Sequence, residues 1–415
     1  MGRLVAFEDS PLIDVPVPHE ERVARLVART RSFFGRVRPT GLAEAPGRVN
    51  LIGEHVDYND GLVLPFAINR SVMCAWSRED DIHSFTTSLD FAGDDRFIVD
   101  SIGPSPGTWM AYPRGVLKIF LDDGLIQTRD RPIGLNLAFQ GDVPSGAGLS
   151  SSAAVELATA GAADEASESK IAASQLAVLC QRAENEYVGV QCGIMDQFAS
   201  ALSKRDHALL IDCRTLAYRH VPLRLAEHGL AIVIANSAVR RELITSAYND
   251  RRRECEEAVV RLRDVLRRPR LKSLRDVRSD EIAGIEIAGD DAVLRRARHV
   301  VTEIDRVAEA VDALERDDFA RLGELMVASH LSLKTDYEVS SEELDLLVGL
   351  ATAQEYVLGA RLTGAGFGGC TVNLVRAVRV EDFARDVIVP YRERTGLQAV
   401  MYVTEACDGL RTWRL

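Results

Sequence analysis

Apolar positions along the chain change period several times, and each change marks an element. Val23–Phe34 repeats its apolar residues at helical spacing. Leu62–Trp76 is dense in strand formers, and Pro65 inside it marks an edge or a bend. Trp109–Phe120 reads as a helix and Gly134–Phe139 as a short strand. A turn with Pro144, Gly146 and Gly148 follows, then an Ala-rich helix over Ser150–Ala163. Ile171–Tyr187 and Ile194–Leu202 are also helical in period. Three strands are expected at His207–Asp212, Ala217–Val221 and Leu230–Ala235. Tyr248–Leu266 reads as a long charged helix with Arg252–Glu256 and Arg253–Glu257 four apart. Arg267–Asp291 is polar and irregular, and residues 292–352 hold two or three helices. A Gly-rich turn, Gly364–Gly369, runs into the apolar strand Cys370–Val375, and the chain closes with helix Val380–Arg394 and strand Ala399–Thr404.

Strands and helices mix without regular βαβ alternation, which predicts an α+β fold and not a doubly wound sheet. At roughly 150 residues per domain, 415 residues predict two or three domains. A break near residues 214–228 divides the chain into lobes of similar size, 1–215 and 216–415. No internal repeat or low-complexity segment interrupts either.

Composition narrows the class. Apolar residues make up 47% and charged residues 27%, enough to bury a full core without disulfide or metal staples. Fifty basic against 62 acidic residues leave a formal charge of −12, which argues against a nucleic-acid or anionic-membrane binder. The longest apolar stretches, such as Leu230–Ala235, fall far short of the roughly 18 residues of a membrane helix. The N-terminus lacks a secretory apolar run. The seven cysteines include no C-x-x-C pair, so reduced thiols in a cytoplasmic protein are expected.

Three stretches carry candidate chemistry. Gly141–Ala154 (GDVPSGAGLSSSAA) lies between a strand and a helix. Its glycines let backbone N–H groups approach a ligand, and its serines stand where a helix start favours anions and where hydroxyls can meet Mg²⁺. The plainer reading is a turn with a serine cap. No Lys follows, so a nucleotide here is bound without a P-loop lysine. Ala45–Tyr58 (APGRVNLIGEHVDY) packs Glu54, His55, Asp57 and Tyr58 after a turn at Gly53. Those acceptors suit several hydroxyls of a polyol or sugar; a metal site and a plain polar turn are the alternatives. Arg48 inside the apolar run must meet a carboxylate or phosphate, because it cannot shed its charge. Arg361–Val375 (RLTGAGFGGCTVNLV) contains a formal G-x-G-x-x-G but leads into a strand, the wrong context for a dinucleotide fold. It also lacks the H-R-D and D-F-G companions of protein kinases. Asp196, in the apolar run Cys192–Phe198, is either a satisfied structural acid or a general base. Glu184, twelve residues earlier, is either a Mg²⁺ ligand or a solvated helix charge.

Together, in this order, the three Gly-rich stretches resemble the GHMP small-molecule kinases, and Gly47–Tyr58 resembles the motif of their galactokinase branch. Val56 stands where that branch usually has Thr, and Asp60 where it usually has Gly. The likeness runs from about residue 20 to the C-terminus. It implies a two-lobed fold of mixed sheets flanked by helices, with the active site in the cleft and a last strand that returns to the first lobe. It implies Mg-ATP-dependent phosphorylation of the C1 hydroxyl of α-D-galactose to galactose 1-phosphate, the first committed step of galactose catabolism (the Leloir pathway). By the same likeness Glu54, His55, Asp57 and Tyr248 bind the sugar. Gly146, Ala147, Gly148, Leu149, Ser150, Ser151 and Ser152 surround the ATP phosphates. Ser152 and Glu184 hold Mg²⁺, Asp196 is the catalytic acid and Arg48 its cationic partner. Trp109 and Tyr112 lie near the adenine, and Thr86, Thr87 and Ser88 edge the nucleotide pocket. A kinase of N-acetylgalactosamine or arabinose, and a non-catalytic galactose and ATP sensor, are the competing readings. The intact serine run and the presence of Asp196 argue against the sensor.

Overall fold

A computed structural model describes residues 12–34, 38–79, 82–128, 131–239, 244–285 and 291–415. Its larger sheet has six strands in the spatial order Arg411–Arg414, Gly41–Asn50, Pro65–Arg78, Leu135–Gly141, His83–Ser88 and Asp95–Ile98. All neighbours run antiparallel except His83–Ser88 against Leu135–Gly141. Every residue of Gly41–Asn50 is buried. Pro65 is tolerated because it is the first residue of its strand, opposite Asn50. The register between these two strands shifts between Pro46 and Arg48, and such a bulge re-aims a side chain.

Val357–Thr363, Cys370–Arg376, Leu230–Asn236 and Val400–Thr404 form a four-stranded antiparallel sheet. A smaller sheet joins Tyr218–Pro222, His207–Asp212 and Leu62–Val63. The principal core cluster draws on both halves of the chain, from Val49 and Leu157 to Leu333 and Val372. Helix Ser151–Ser167 packs on Gly41–Asn50 and Pro65–Arg78 of the larger sheet. Its alanines permit that close approach, and a Cβ at Gly161 would stand 3.1 Å from both Leu410 and Thr412. Helix Phe319–Thr335 lies on Val357–Thr363 through paired glycines: a Cβ at Gly323 would meet the Leu358 carbonyl at 2.0 Å.

The structure departs from the periodicity in instructive places. Ile171–Tyr187 is helical only over Ala173–Arg182 and widens into a π turn at Ala183–Val188. Val380–Arg394 is broken by a second π turn at Ala384–Ile388, just before Pro390, which has no N–H to continue the α ladder. Arg267–Asp291 is not wholly irregular; Ser273 and Asp276 build a capping box and Ser279–Ala283 is a short helix. Residues 286–290 of that stretch lie outside the described residues. Arg252 reaches Glu256 at 3.4 Å, but Arg253 turns to Asp250 at 2.8 Å. Glu257 instead meets Arg261, the order of acid before base that a helix favours. Strands His83–Ser88 and Asp95–Ile98 show no clean alternation in sequence, so periodicity does not reveal them.

Candidate active site

The bulge in Gly41–Asn50 delivers Arg48 to Asp196, at the start of helix Met195–Leu202. Arg48 Nε donates to one carboxylate oxygen at 2.8 Å and its Nη2 to the other at 2.7 Å. The third nitrogen, Nη1, donates to the Gly148 carbonyl at 2.6 Å. Arg48 is nearly enclosed, whereas the Asp196 side chain keeps 28% of its surface open. A bidentate guanidinium fixes a carboxylate in direction as well as charge. The Ser150 hydroxyl also donates to Asp196.

The turn that receives Arg48 is built on left-handed backbone. Gly146, Gly148 and Ser150 have φ of 70°, 80° and 60°. Ser150 therefore does not cap the helix that follows it; its hydroxyl is spent on Asp196, and the first N–H groups of Ser151–Ser167 have no side-chain cap. Gly47 lies under the Leu149 carbonyl, 2.6 Å from where a Cβ would be, and the Arg48 N–H donates to that same oxygen at 3.1 Å. The strand and the serine turn are thus clamped together on both sides of Arg48.

Glu54 is 1% exposed. It accepts from the Asn50 amide, from the Gly364 N–H at 2.6 Å and lies 3.6 Å from the buried Arg361 guanidinium. Burial pushes its carboxyl up, against the pull of Arg361 and Arg48. The third Gly-rich stretch is therefore a buckle on the first motif: a Cβ at Gly364 would also stand 3.0 Å from the Gly148 carbonyl. His55 adopts φ of 62° and has both ring nitrogens engaged. Nε2 faces the Ala365 carbonyl at 3.2 Å and must donate, so Nδ1 accepts from the Tyr58 hydroxyl at 2.7 Å. Tyr58 is bonded in turn to Tyr337 at 2.7 Å, and Tyr337 to the Cys255 thiol at 3.1 Å. Burial, then the nearby His299, drives the His55 pKa down to about 3, so the ring is neutral.

Asp57 faces the opposite way. Its carboxylate rests on Gly193, where a Cβ would be 1.9 Å from an oxygen; only glycine fits there. Burial first, and then the charge of Asp196, lifts its pKa to about 7. Tyr248 closes this side, its ring 5.3 Å from Tyr58 and 5.7 Å from His55. Hydroxyl acceptors and an aromatic wall within reach of one another suit a sugar.

Glu184 opens the π turn. Its Oε2 accepts from Gln197 at 2.8 Å and from the Cys192 thiol at 3.3 Å. Burial and the charge of Asp196 raise its pKa. Ser151 and Ser152, half-buried, begin the neighbouring helix. A hydroxyl and a carboxylate are hard oxygen donors of the kind Mg²⁺ takes alongside phosphates. Among the described residues no three His, Cys, Asp or Glu side chains converge as a cage. Further along the sheet, Ser88 accepts from the Asp90 and Phe91 N–H groups at 3.1 and 3.2 Å. Trp109 stacks on the half-exposed Phe91 at 6.1 Å and meets Phe139 edge-on at 5.8 Å. Thr86 and Thr87 are buried in that strand. Tyr112 turns instead toward Glu184 and Glu156, whose charges add to burial in raising its pKa.

The sequence reading missed Arg361, Gly193, Glu156 and Gln197. Arg361 carried a usable signal, since a lone Arg in an apolar strand demands a partner as Arg48 does.

Mixed sheets flanked by helices, a lysine-free serine turn and a carboxylate held by arginine agree with the GHMP kinase class. Family models match accordingly: the galactokinase galactose-binding signature over residues 31–78, the GHMP kinases N terminal domain over 111–204 and the GHMP kinases C terminal over 310–388. The chain is 44% identical over 382 residues to the galactokinase of Roseiflexus sp., covering 92% of this chain and 95% of that one. It is 40% identical over 384 residues to the galactokinase of Bacillus subtilis, covering 92% and 96%. The crystal structure of Lactococcus lactis galactokinase complexed with galactose superposes with a TM-score of 0.88 at 36% identity, covering 94% of this chain and 99% of that one. Methanococcus jannaschii mevalonate kinase shares the fold alone, at a TM-score of 0.63 and 19% identity. The chain belongs to the galactokinase family and is a kinase. Among the described residues no helix is long and apolar enough to cross a membrane.

Proposed function

We propose that the protein transfers the γ-phosphoryl group of ATP to the C1 hydroxyl of α-D-galactose, giving α-D-galactose 1-phosphate and ADP, the step that commits galactose to catabolism. The observation that carries this reading is the two-pronged Arg48–Asp196 pair tied to the serine turn by Gly148 and Ser150.

Phosphoryl transfer needs alignment and charge neutralisation more than covalent chemistry. Asp196, partly open and held from behind by Arg48, takes the proton of the C1 hydroxyl or holds that hydroxyl in line. Asp57 and Tyr248 receive the ring hydroxyls from the other side, while Glu54 and His55 fix the loop that carries Asp57. The uncapped N–H groups after Ser150 and the positive-φ turn Gly146–Leu149 donate to the triphosphate. Ser88 and Trp109 border the base. Ser152 and Glu184 would hold Mg²⁺, which supplies neutralisation of phosphate charge when bound with ATP. Hydroxyl choice follows from fixed acceptors: a hydroxyl of the wrong configuration leaves a buried carboxylate unpaired, costing roughly 1–3 kcal/mol or more.

The decisive experiment is ATP consumption across a panel of sugars, with NMR of the product. Galactose should be consumed far faster than glucose, with phosphate on C1 in the α configuration. Equal kcat/KM for the two sugars, or phosphate elsewhere, would end this reading.

A further inference from the structure

Behind Glu184 lies a buried set of side chains that phosphoryl transfer, as described, does not use. Glu156 sits in the Ala-rich helix, four residues after Ser152 and so on the same face. Gln197 follows Asp196 in helix Met195–Leu202. Glu156 and Gln197 have no exposed surface, and Glu184 is 6% exposed. The Gln197 amide nitrogen divides its two hydrogens, one to Glu184 Oε2 at 2.8 Å and one to Glu156 Oε2 at 3.1 Å. The side-chain oxygen of Gln197 and the second carboxyl oxygen of Glu156 meet no hydrogen-bond partner among the described residues.

That is an expensive way to fill a core. Two enclosed polar side chains with orphan oxygens cost more than the leucine and methionine that would occupy the same space. The geometry shows what the cost maintains. Gln197 cannot rotate away from Glu184 without also leaving Glu156, so the amide is locked and the Glu184 carboxylate is locked by it. Residues 196 and 197 point about 100° apart on their helix. One helical turn therefore aims Asp196 at Arg48 and, through Gln197, sets the direction of Glu184. The π turn at Ala183–Val188 is the kind of local widening that accumulates at functional sites.

We propose that Gln197 and Glu156 are positioning residues for Glu184: the bridging amide, aimed by Glu156, holds the Glu184 carboxylate in the orientation that receives the divalent cation of the nucleotide. The inference rests on the reading of Glu184 as a cation holder and adds the two residues that orient it. Outer partners of metal ligands typically contribute 10–100-fold in metal affinity.

Mn²⁺ with ADP is the probe, followed by the paramagnetic resonance of free Mn²⁺, with galactose affinity measured calorimetrically on the same samples. Gln197→Leu and Glu156→Leu should weaken Mn²⁺·ADP binding by about 10–100-fold while galactose binding stays native. Glu156→Gln, which keeps an oxygen for the bridging amide, should stay within about threefold of native. In turnover the leucine variants should raise KM for Mg·ATP and leave KM for galactose unchanged. Native Mn²⁺ affinity in both leucine variants, with binding lost in Glu184→Gln, overturns the positioning role and leaves the cation reading standing. Native affinity in Glu184→Gln removes the cation reading and this inference with it. If Gln197→Leu loses galactose binding through misfolding, Gln197→Met replaces it under the same expectation.

Discussion

The backbone N–H of Gly364 donates to Glu54 Oε1 at 2.6 Å, across a sequence separation of 310 residues. Around that bond, Arg361 donates to the Asn50 and Leu51 carbonyls at 3.0 and 3.1 Å, and the Thr363 hydroxyl donates to the Asn50 carbonyl at 3.1 Å. The first and third motifs are thus one object: a loop that carries candidate sugar contacts and a glycine turn that holds its buried acid. Because Gly364 also abuts Gly148, the serine turn belongs to the same assembly.

The tightness of that junction makes Gly364→Ala a sharp test. Gly364 has φ of 83°, and an added Cβ would stand 3.0 Å from the Gly148 carbonyl. Strain at positive φ and the clash act together, so a loss of about 1–3 kcal/mol in stability is expected. Turnover should fall further than stability alone accounts for, since the displaced oxygen is the one that Arg48 holds. Thermal melts and steady-state rates check both, and a variant with native melting and native kcat would show that the contact does not tune the site.

Asp196→Asn keeps the volume and one acceptor oxygen but removes the charge that Arg48 clasps. Galactose affinity should stay within about tenfold of native while nearly all turnover is lost, the pattern of an interaction made in the transition state. Calorimetry and single-turnover measurements separate the two quantities. Near-native turnover would remove Asp196 from the role of base.

Asp57 sets a pH dependence. Its pKa stands at about 7 because it is buried beside Asp196, with Glu54 adding to the repulsion and Arg48 opposing it. In the proposed function sugar hydroxyls donate to the ionised form, so affinity should fall as protons bind. Between pH 8 and pH 6 the dissociation constant for galactose should rise by about tenfold. Asp57→Asn should bind weakly and flatten the profile. A native profile already flat over that range would mean that Asp57 is not the acceptor.

Much of the candidate site was legible because its chemistry is local: Arg48, the serine turn and Glu54–Tyr58 sit in short runs whose residue types conflict with simple packing. What stayed hidden depends on long-range enclosure. Nothing in the run Cys192–Phe198 says that Gly193 must make room for Asp57 or that Gln197 spans two acids. Those facts exist only once three helices and a loop converge. His55 reads in sequence as a hydroxyl ligand, yet its ring is committed to Ala365 and to Tyr58, which in turn leans on Tyr337 and Cys255, each from a different part of the chain. Fold class followed from the mixture of periods. Edge strands such as Asp95–Ile98 did not, because a strand paired on one side needs little alternation to persist.

Glu303 offers a test of how the loop after Gly53, with its candidate sugar contacts, is fastened to the second half of the chain. It is fully buried in helix Ala292–Glu315 and accepts from the Gly53 N–H at 2.9 Å, Ser329 at 2.6 Å and Arg306 at 2.6 Å. Burial alone would raise its pKa, but Arg306, His299, Arg361 and the Ser329 hydroxyl outweigh it and hold the carboxyl at about 2. The folded pKa lies below the unfolded one, so the stabilisation is fully present above the unfolded value of 4.5 and disappears as pH falls through about 2. The shift corresponds to about 3 kcal/mol at neutral pH. Glu303→Gln should therefore lower stability by about that amount at pH 7, measured by urea unfolding, and the gap from native should shrink steadily below pH 4.5. A gap that stays constant down to pH 3 would mean that the charge of Glu303 contributes nothing and that its hydrogen bonds to Gly53 and Ser329 alone secure the loop.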